Sequence, residues 1–286
     1  MRISPWAAVP LATVLSVLPA VPASSSVRQA PGTTAGYVLF DRQTGKIVTH
    51  RYAHRQFRSA SVVKILIALD YLERRKSVPA GDAKLLKIML RSSDDDAAST
   101  FWDRGGKGKI VQRMAARLHL ADTAPPPSNK PGFWGYTSLS AYDVVATYRY
   151  LLDRASPSVR DLIVGHLRRS TPCGTDGFDQ TFGIPSAVAK PWAVKQGWSG
   201  FGDVPPTKCP RNAARASGSI SQVAYVAAQT RVPDLGRPVL HTTGLIGDRY
   251  VLALLTAHPS GSTWNDCVRR ITKLTGDLLR NTVKAG

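Results

Sequence analysis

The chain has 286 residues, of which 43% are hydrophobic and 20% charged. That composition supplies a sizeable core and excludes both wholesale disorder and a multi-pass membrane protein. The charge is unusual: 38 Lys and Arg against 19 Asp and Glu give a net +19, and every acid except Glu73 is an aspartate.

Residues 1–23 read as a secretory signal. Arg2, an apolar run from Trp6 to Val21 and the small-residue site before Ser24 follow in the order of such segments. Pro10 and Pro19 interrupt the run, which falls short of the about 20 residues of a spanning helix. Cleavage near Ala23 leaves a flexible segment, 24–35, and one folded unit, 36–286. No cysteine directly follows the run, which argues against a lipid anchor at that point. The expected product is secreted, cell-wall associated, monomeric and free of the membrane.

Gly36–Phe40 and Lys46–His50 flank the turn Gln43-Thr44-Gly45 and read as a β-hairpin. Apolar residues then recur at helical spacing in Ser61–Arg74, Ala83–Leu90, Ile110–Leu118 and Tyr142–Leu152. Asp122–Thr137, rich in Pro and Gly, reads as an irregular loop. Ala193–Trp198, Val239–Ile246 and Tyr250–Ala257 read as strands, and Thr263–Val283 as an amphipathic helix. Strands at both ends with helices between predict an α+β sandwich, with a five-stranded antiparallel sheet built from both chain ends and a helical lobe at about 75–165 inserted. A site is expected in the cleft between sheet and lobe.

An exported chain can keep a disulfide. Of the three cysteines Cys173 and Cys209 are the favoured pair, with pairings to Cys267 left open. Neither the cysteines nor the six histidines have metal-ligand spacing, so no metal or other cofactor is expected.

The chemistry starts at Ser61-Val62-Val63-Lys64. At the start of a helix, positions i and i+3 share a face, so the Ser61 hydroxyl and the Lys64 amine can meet. A serine is a weak nucleophile near neutrality, and a partly buried lysine can lose its charge and take the hydroxyl proton. Alone, Ser-x-x-Lys is common.

The hairpin followed by Phe57–Lys64 resembles the approach to the active-site helix in the penicillin-recognising serine hydrolases, the superfamily of class A β-lactamases and D-alanyl-D-alanine peptidases. Two further signatures of that superfamily, Ser-Asp-Asn and Lys-Thr-Gly, have altered counterparts here in the right order. The first is Ser93-Asp94-Asp95. The resemblance implies that Ser93 relays a proton to the leaving group and that Asp94 braces the loop. Asp95 stands where the family has asparagine. A carboxylate cannot donate unless protonated, so Asp95 is expected to pair with Lys64 or to prefer a substrate bearing a donor or cation. The same acidic run also fits an ordinary helix N-cap.

The second counterpart is Lys195-Gln196-Gly197-Trp198. By resemblance Lys195 attracts a substrate carboxylate, Gln196 offers an amide in place of the hydroxyl, and Gly197 allows close backbone approach. The backbone N–H groups of Ser61 and Trp198 would form the oxyanion hole. The implied substrate is a β-lactam or a peptidoglycan-type peptide.

One family feature is missing. Class A β-lactamases carry a glutamate on the loop after the helical lobe, which activates the deacylating water. Asp122–Thr137 contains none, and Glu73 lies two turns past Lys64 on the wrong helix. Asp122 is the one acid in that loop and a weak substitute. Slow release of the acyl-enzyme is therefore expected.

Three readings result: a serine hydrolase or acyl-transfer enzyme, a penicillin-binding or cell-wall-binding module that has lost turnover, and a basic polyanion-binding protein. His50, Arg51, His54, Arg55 and Arg58 precede Ser61 and are expected at the cleft mouth, where they would attract anionic cell-wall polymers. No specific nucleic-acid partner is expected. No G-x-S-x-G, Walker A, G-x-G-x-x-G or H-E-x-x-H motif occurs. His241, on the strand beside Lys195, is a weaker candidate for facing the cleft.

Overall fold

The computed structural model of the protein describes residues 30–209 and 232–283. The expected signal and residues 24–29 lie outside the described residues; Thr34 and Ala35, expected in the flexible segment, already belong to the first strand. The hairpin forms from β1 (Thr34–Asp41) and β2 (Lys46–Arg51), followed by a two-residue strand β3 (Phe57–Arg58). After the helices come β5 (Trp192–Ser199), β6 (Val239–Ile246) and β7 (Tyr250–Ala257); β4 (Ser138–Leu139) pairs with β3 and bridges to Ala124. The main sheet has the order β2-β1-β7-β6-β5, antiparallel throughout, so strands from the two ends of the chain lie side by side as expected.

Side chains alternate across a strand, and here both faces are covered. Val38 and Phe40 of β1 join Val251, Ala253 and Leu255 of β7 in a core shared with α1 (Lys64–Glu73), α2 (Ala80–Arg91), α4 (Gly108–Leu118) and α5 (Ala141–Asp153). Tyr37, Leu39, Leu252 and Leu254 turn the other way onto α8 (Trp264–Val283). Burial on both faces explains why β7 reads as a nearly unbroken apolar run. No helix among the described residues is long and apolar enough to cross a membrane.

Two further helices lie outside the helical segments read from the sequence. They are α3 (Asp95–Arg104) and α6 (Pro157–Leu167), and each is started by a cap. The Asp94 carboxylate accepts from the Ala97 N–H at 2.7 Å, and the Ser156 hydroxyl from Val159 at 3.4 Å, with Pro157 at the first helical position. Asp70 of α1, buried, holds Arg113 of α4 through two bonds of 2.7 and 2.8 Å. That bidentate geometry fixes the helix that follows the candidate nucleophile against its neighbour.

Cys173 and Cys209 are bonded, a sequence separation of 36 that spans the short α7 (Ile184–Ala187) and β5, while Cys267 is free and buried in α8. Closing a loop of that length restricts the unfolded chain. Replacing both Cys173 and Cys209 by Ala should lower stability by about 2–4 kcal/mol. Thermal unfolding of the oxidised protein and the double variant measures this, and equal midpoints would contradict it.

Candidate active site

The Ser61–Lys64 segment is tighter than the sequence pattern suggests. Ala60–Val63 is a 3-10 turn, and the α-helix proper begins at Lys64. In a 3-10 turn residues i and i+3 eclipse, which stacks Lys64 directly beneath Ser61. Lys64 Nζ lies 2.9 Å from Ser61 Oγ, and Lys64 is wholly buried. Gly197 makes this placement sterically feasible. A Cβ there would stand 3.1 Å from the Ser59 carbonyl and 3.0 Å from a Val62 methyl, so the turn rests against β5 where a side chain would otherwise be. The close approach expected at Gly197 is thus to the chain's own backbone.

The loop between α2 and α3 completes the lysine's surroundings. Ser93 has φ +57°, a conformation few residues other than glycine adopt. It turns its carbonyl to Lys64 Nζ at 2.6 Å and its hydroxyl to Lys195 Nζ at 2.8 Å. Asp95 Oδ1 is also 2.6 Å from Lys64 Nζ, one of the two alternatives drawn from its sequence. Asp94 caps α3. Lys195 is wholly buried; Thr243 holds its carbonyl at 2.7 Å, and the Tyr148 hydroxyl meets Thr243 at 3.2 Å. Burial, reinforced by the Lys64 charge, pushes the Lys195 amine well below the ordinary lysine value.

Gln196 departs from the expected placement. Its amide donates to the Phe182 and Gln180 carbonyls, and its Oε1 is buried without a partner, so it does not offer the cleft a donor. Trp198 is half-buried, and its indole N–H is taken by Asp176 Oδ2 at 2.9 Å. Sequence reasoning missed Asp176. It lies exposed in the disulfide-tethered stretch before α7. The same stretch braces Ser93: Gln180 Nε2 donates to the Arg91 carbonyl at 2.7 Å, and the Thr175 N–H to Ser92 at 2.8 Å.

Trp134 was also missed. Its ring lies 4.5 Å from Lys64 Nζ, and its indole N–H donates to Ser99 at 3.1 Å. The loop therefore presents an aromatic face to the lysine. Its one acid, Asp122, is engaged by His54 at 2.8 Å and by neither lysine of the cluster. Glu73 bonds Tyr150 and pairs with Arg117. His241 also stays out of the chemistry: its Nδ1 accepts from the Thr256 N–H at 3.2 Å, so its Nε2–H donates to the Arg58 carbonyl at 2.9 Å. The expectation that Arg58 stands at the cleft mouth is overturned. It is 1% exposed, and its guanidinium turns inward to donate to the carbonyls of Ser199, Leu235 and Arg237, which offset part of the cost of burying it.

Comparison with proteins of known structure defines the class of fold. The chain matches the structure of PBP-A with a TM-score of 0.61 at 16% identity, over 90% of this chain and 93% of that one. A class A β-lactamase from Mycobacterium abscessus matches with a TM-score of 0.58 at 18% identity, over 87% and 94%. A point variant of PBP-A, solved as an acyl-enzyme complex with penicillin G, gives 0.58 at 16%, over 87% and 91%. The fold is that of class A β-lactamases and PBP-A. No family model matches the chain. In sequence it is 40% identical over 177 residues to the putative lipoprotein LppW of Mycobacterium tuberculosis and of Mycobacterium bovis, covering 59% of this chain and 55% of those proteins. The chain thus matches about half the length of these curated relatives.

His241 and His258 are both buried and held neutral, at about 4 and about 3 against an ordinary 6.5, chiefly by burial. The unfolded chain binds these protons first, so their contribution to stability is complete above about pH 6.5 and is lost as pH falls towards 4. Each costs up to about 1.4 kcal/mol per pH unit in that window. The melting temperature should fall between pH 7 and pH 4, less steeply in His241→Gln. A flat profile for the unsubstituted protein would contradict this.

Proposed function

We propose that the protein is an exported serine acyl-transfer enzyme of the β-lactamase and D-alanyl-D-alanine peptidase type, which acylates Ser61 with a β-lactam or a peptidoglycan-type peptide and releases the product slowly. The observation that carries the reading is the continuous buried chain of bonds from Ser61 Oγ through Lys64 and Ser93 to Lys195. Ser61 attacks the carbonyl carbon, the lysines and Ser93 move its proton to the leaving nitrogen, and the backbone N–H groups of Ser61 and Trp198 receive the developing oxyanion. No cofactor is needed for these steps. Slow release follows from Trp134: an indole face beside Lys64 can neither bind a water as a base nor take its proton, so the acyl ester lacks a hydrolytic partner.

Export is supported by the disulfide, which persists outside the reducing cytosol, and by the description of LppW as a lipoprotein. Retention on the cell wall would rest on basic residues such as the exposed His50 and the half-buried Arg51 rather than on Arg58. A second reading, a wall-peptide-binding module without acylation, is favoured by the turned-away Gln196 amide.

Intact-mass measurement with benzylpenicillin separates these readings. The protein should gain one penicillin mass that persists for hours, and Ser61→Ala should gain none. No adduct on either would favour the binding module, and rapid drug loss without an adduct would refute slow release. In Trp134→Glu, a carboxylate replaces the indole, and the adduct lifetime should shorten by about 10²-fold or more. An unchanged lifetime would show that the loop does not limit release.

A further inference from the structure

We infer that Lys195 is the resting proton acceptor of the site and that Ser93 carries the proton to it, with Lys64 held as the cation. The inference rests on the acyl-transfer reading and assigns roles within it. Lys64 Nζ meets the Asp95 carboxylate and the Ser93 carbonyl, each at 2.6 Å, the Ser61 hydroxyl at 2.9 Å and the face of Trp134 at 4.5 Å. A carboxylate, a carbonyl and an aromatic face all favour an ammonium. With the Ser93 hydroxyl at 3.4 Å, four oxygens surround its three N–H groups, and an ammonium bonded in this way has no lone pair for the Ser61 proton.

Lys195 has the opposite surroundings. Its Nζ meets the Ser93 hydroxyl at 2.8 Å and the Gln196 carbonyl at 3.1 Å, and no carboxylate bonds it. The charged and titratable groups around it are Lys64 of α1, Asp95 of α3, Asp176 before α7 and, behind Thr243, Tyr148 of α5. Burial and the nearby Lys64 charge favour a neutral amine, and the two carboxylates only partly oppose them.

Ser93 Oγ stands between the lysines, 2.8 Å from Lys195 Nζ and 3.4 Å from Lys64 Nζ. Ser93 gives its proton to Lys195 and takes one from Lys64 as the longer contact closes. Lys64, now neutral, keeps two N–H groups on Ser93 and Asp95 and turns its lone pair to Ser61. It accepts the Ser61 proton as Oγ bonds the substrate carbonyl carbon and the carbonyl electron pair moves onto oxygen. On collapse the carbon–nitrogen bond breaks, and the proton stored on Lys195 returns through Ser93 to the leaving nitrogen. The Ser61 proton thus stays on Lys64, one proton has moved net from Ser61 to the leaving group, and both lysines regain their starting states.

Asp95 is what divides the labour, because it fixes the charge on Lys64. Lys195→Arg keeps a cation but cannot become neutral near neutrality. Benzylpenicillin acylation, followed by intact mass, should slow by about 10²-fold in Lys195→Arg. Adding Asp95→Asn should restore part of the rate by freeing Lys64 to act as the base. Wild-type rates in Lys195→Arg, or no recovery in a folded double variant, would overturn the assignment. Nζ resonances of lysine-labelled protein at pH 8 provide a substrate-free readout: Lys195 should be neutral and Lys64 charged, and the reverse would overturn it. If the wild type forms no adduct, the acyl-transfer reading fails, whereas these resonances still decide the lysine assignment.

Discussion

The structure is organised around the need to bury an ammonium group. An unpaired charge in a protein interior costs several kcal/mol even after relaxation, so a wholly buried Lys64 must be surrounded by acceptors. Those acceptors come from distant parts of the chain. The 3-10 turn supplies Ser61, and the loop after α2 supplies the Ser93 carbonyl and the Asp95 carboxylate. The loop before α5 supplies an aromatic face. Each contributor carries a local cost. Ser93 adopts a left-handed backbone, as does Ala60 with φ +44°, and position 197 must remain without a side chain. Such costs persist only when the surroundings over-determine the conformation, as Gln180, Thr171 and Thr175 do for the Ser93 loop.

Much of this was legible in the sequence because its local signals agree with the tertiary result. The hairpin turn, the alternating strands and the helix pattern after Ser61 all survive folding. Ser61, Lys64, Ser93, Lys195 and Asp95 were identifiable because a motif fixes a spacing and spacing fixes geometry. What escaped depends on contacts across the sequence. Trp134 reaches Lys64 from 70 residues away, and nothing in Phe133-Trp134-Gly135-Tyr136 says which ring turns inward. Asp176 comes near the cleft only because a disulfide-tethered loop folds over Trp198. Gln196 was misjudged for a related reason: a motif specifies the residue, but the neighbouring Phe182 carbonyl decides where its amide is spent.

The basic composition also takes on a different meaning. Several arginines are structural ties rather than an outward field. Arg58 gathers three carbonyls, and Arg237 reaches the carbonyls of Gly32, Ala257 and His258. Arg113 and Arg249 grip Asp70 and Asp41 with both arms of the guanidinium. Planar forks suit these tasks, as a lysine's single point charge does not. A net charge of +19 therefore overstates the field that an approaching anion meets.

In the proposed acyl-transfer cycle, Asp95 and Trp134 act on opposite halves. Acyl transfer needs a base when Ser61 attacks and another when water attacks the ester, and class A β-lactamases supply the second with a carboxylate from the loop. Here the carboxylate beside Lys64 belongs to Asp95, on the side of the cluster that faces Ser93, and the loop contributes carbon. The charge that a hydrolase would spend on water is used instead to hold Lys64 as a cation. On the proposed reading, such a site accepts an acyl group by passing protons between its lysines, and among the described residues the loop brings no carboxylate to Lys64 to activate water. The two substitutions reinforce each other: without the ring, water could approach a lysine, but Asp95 would still keep that lysine protonated and useless as its base.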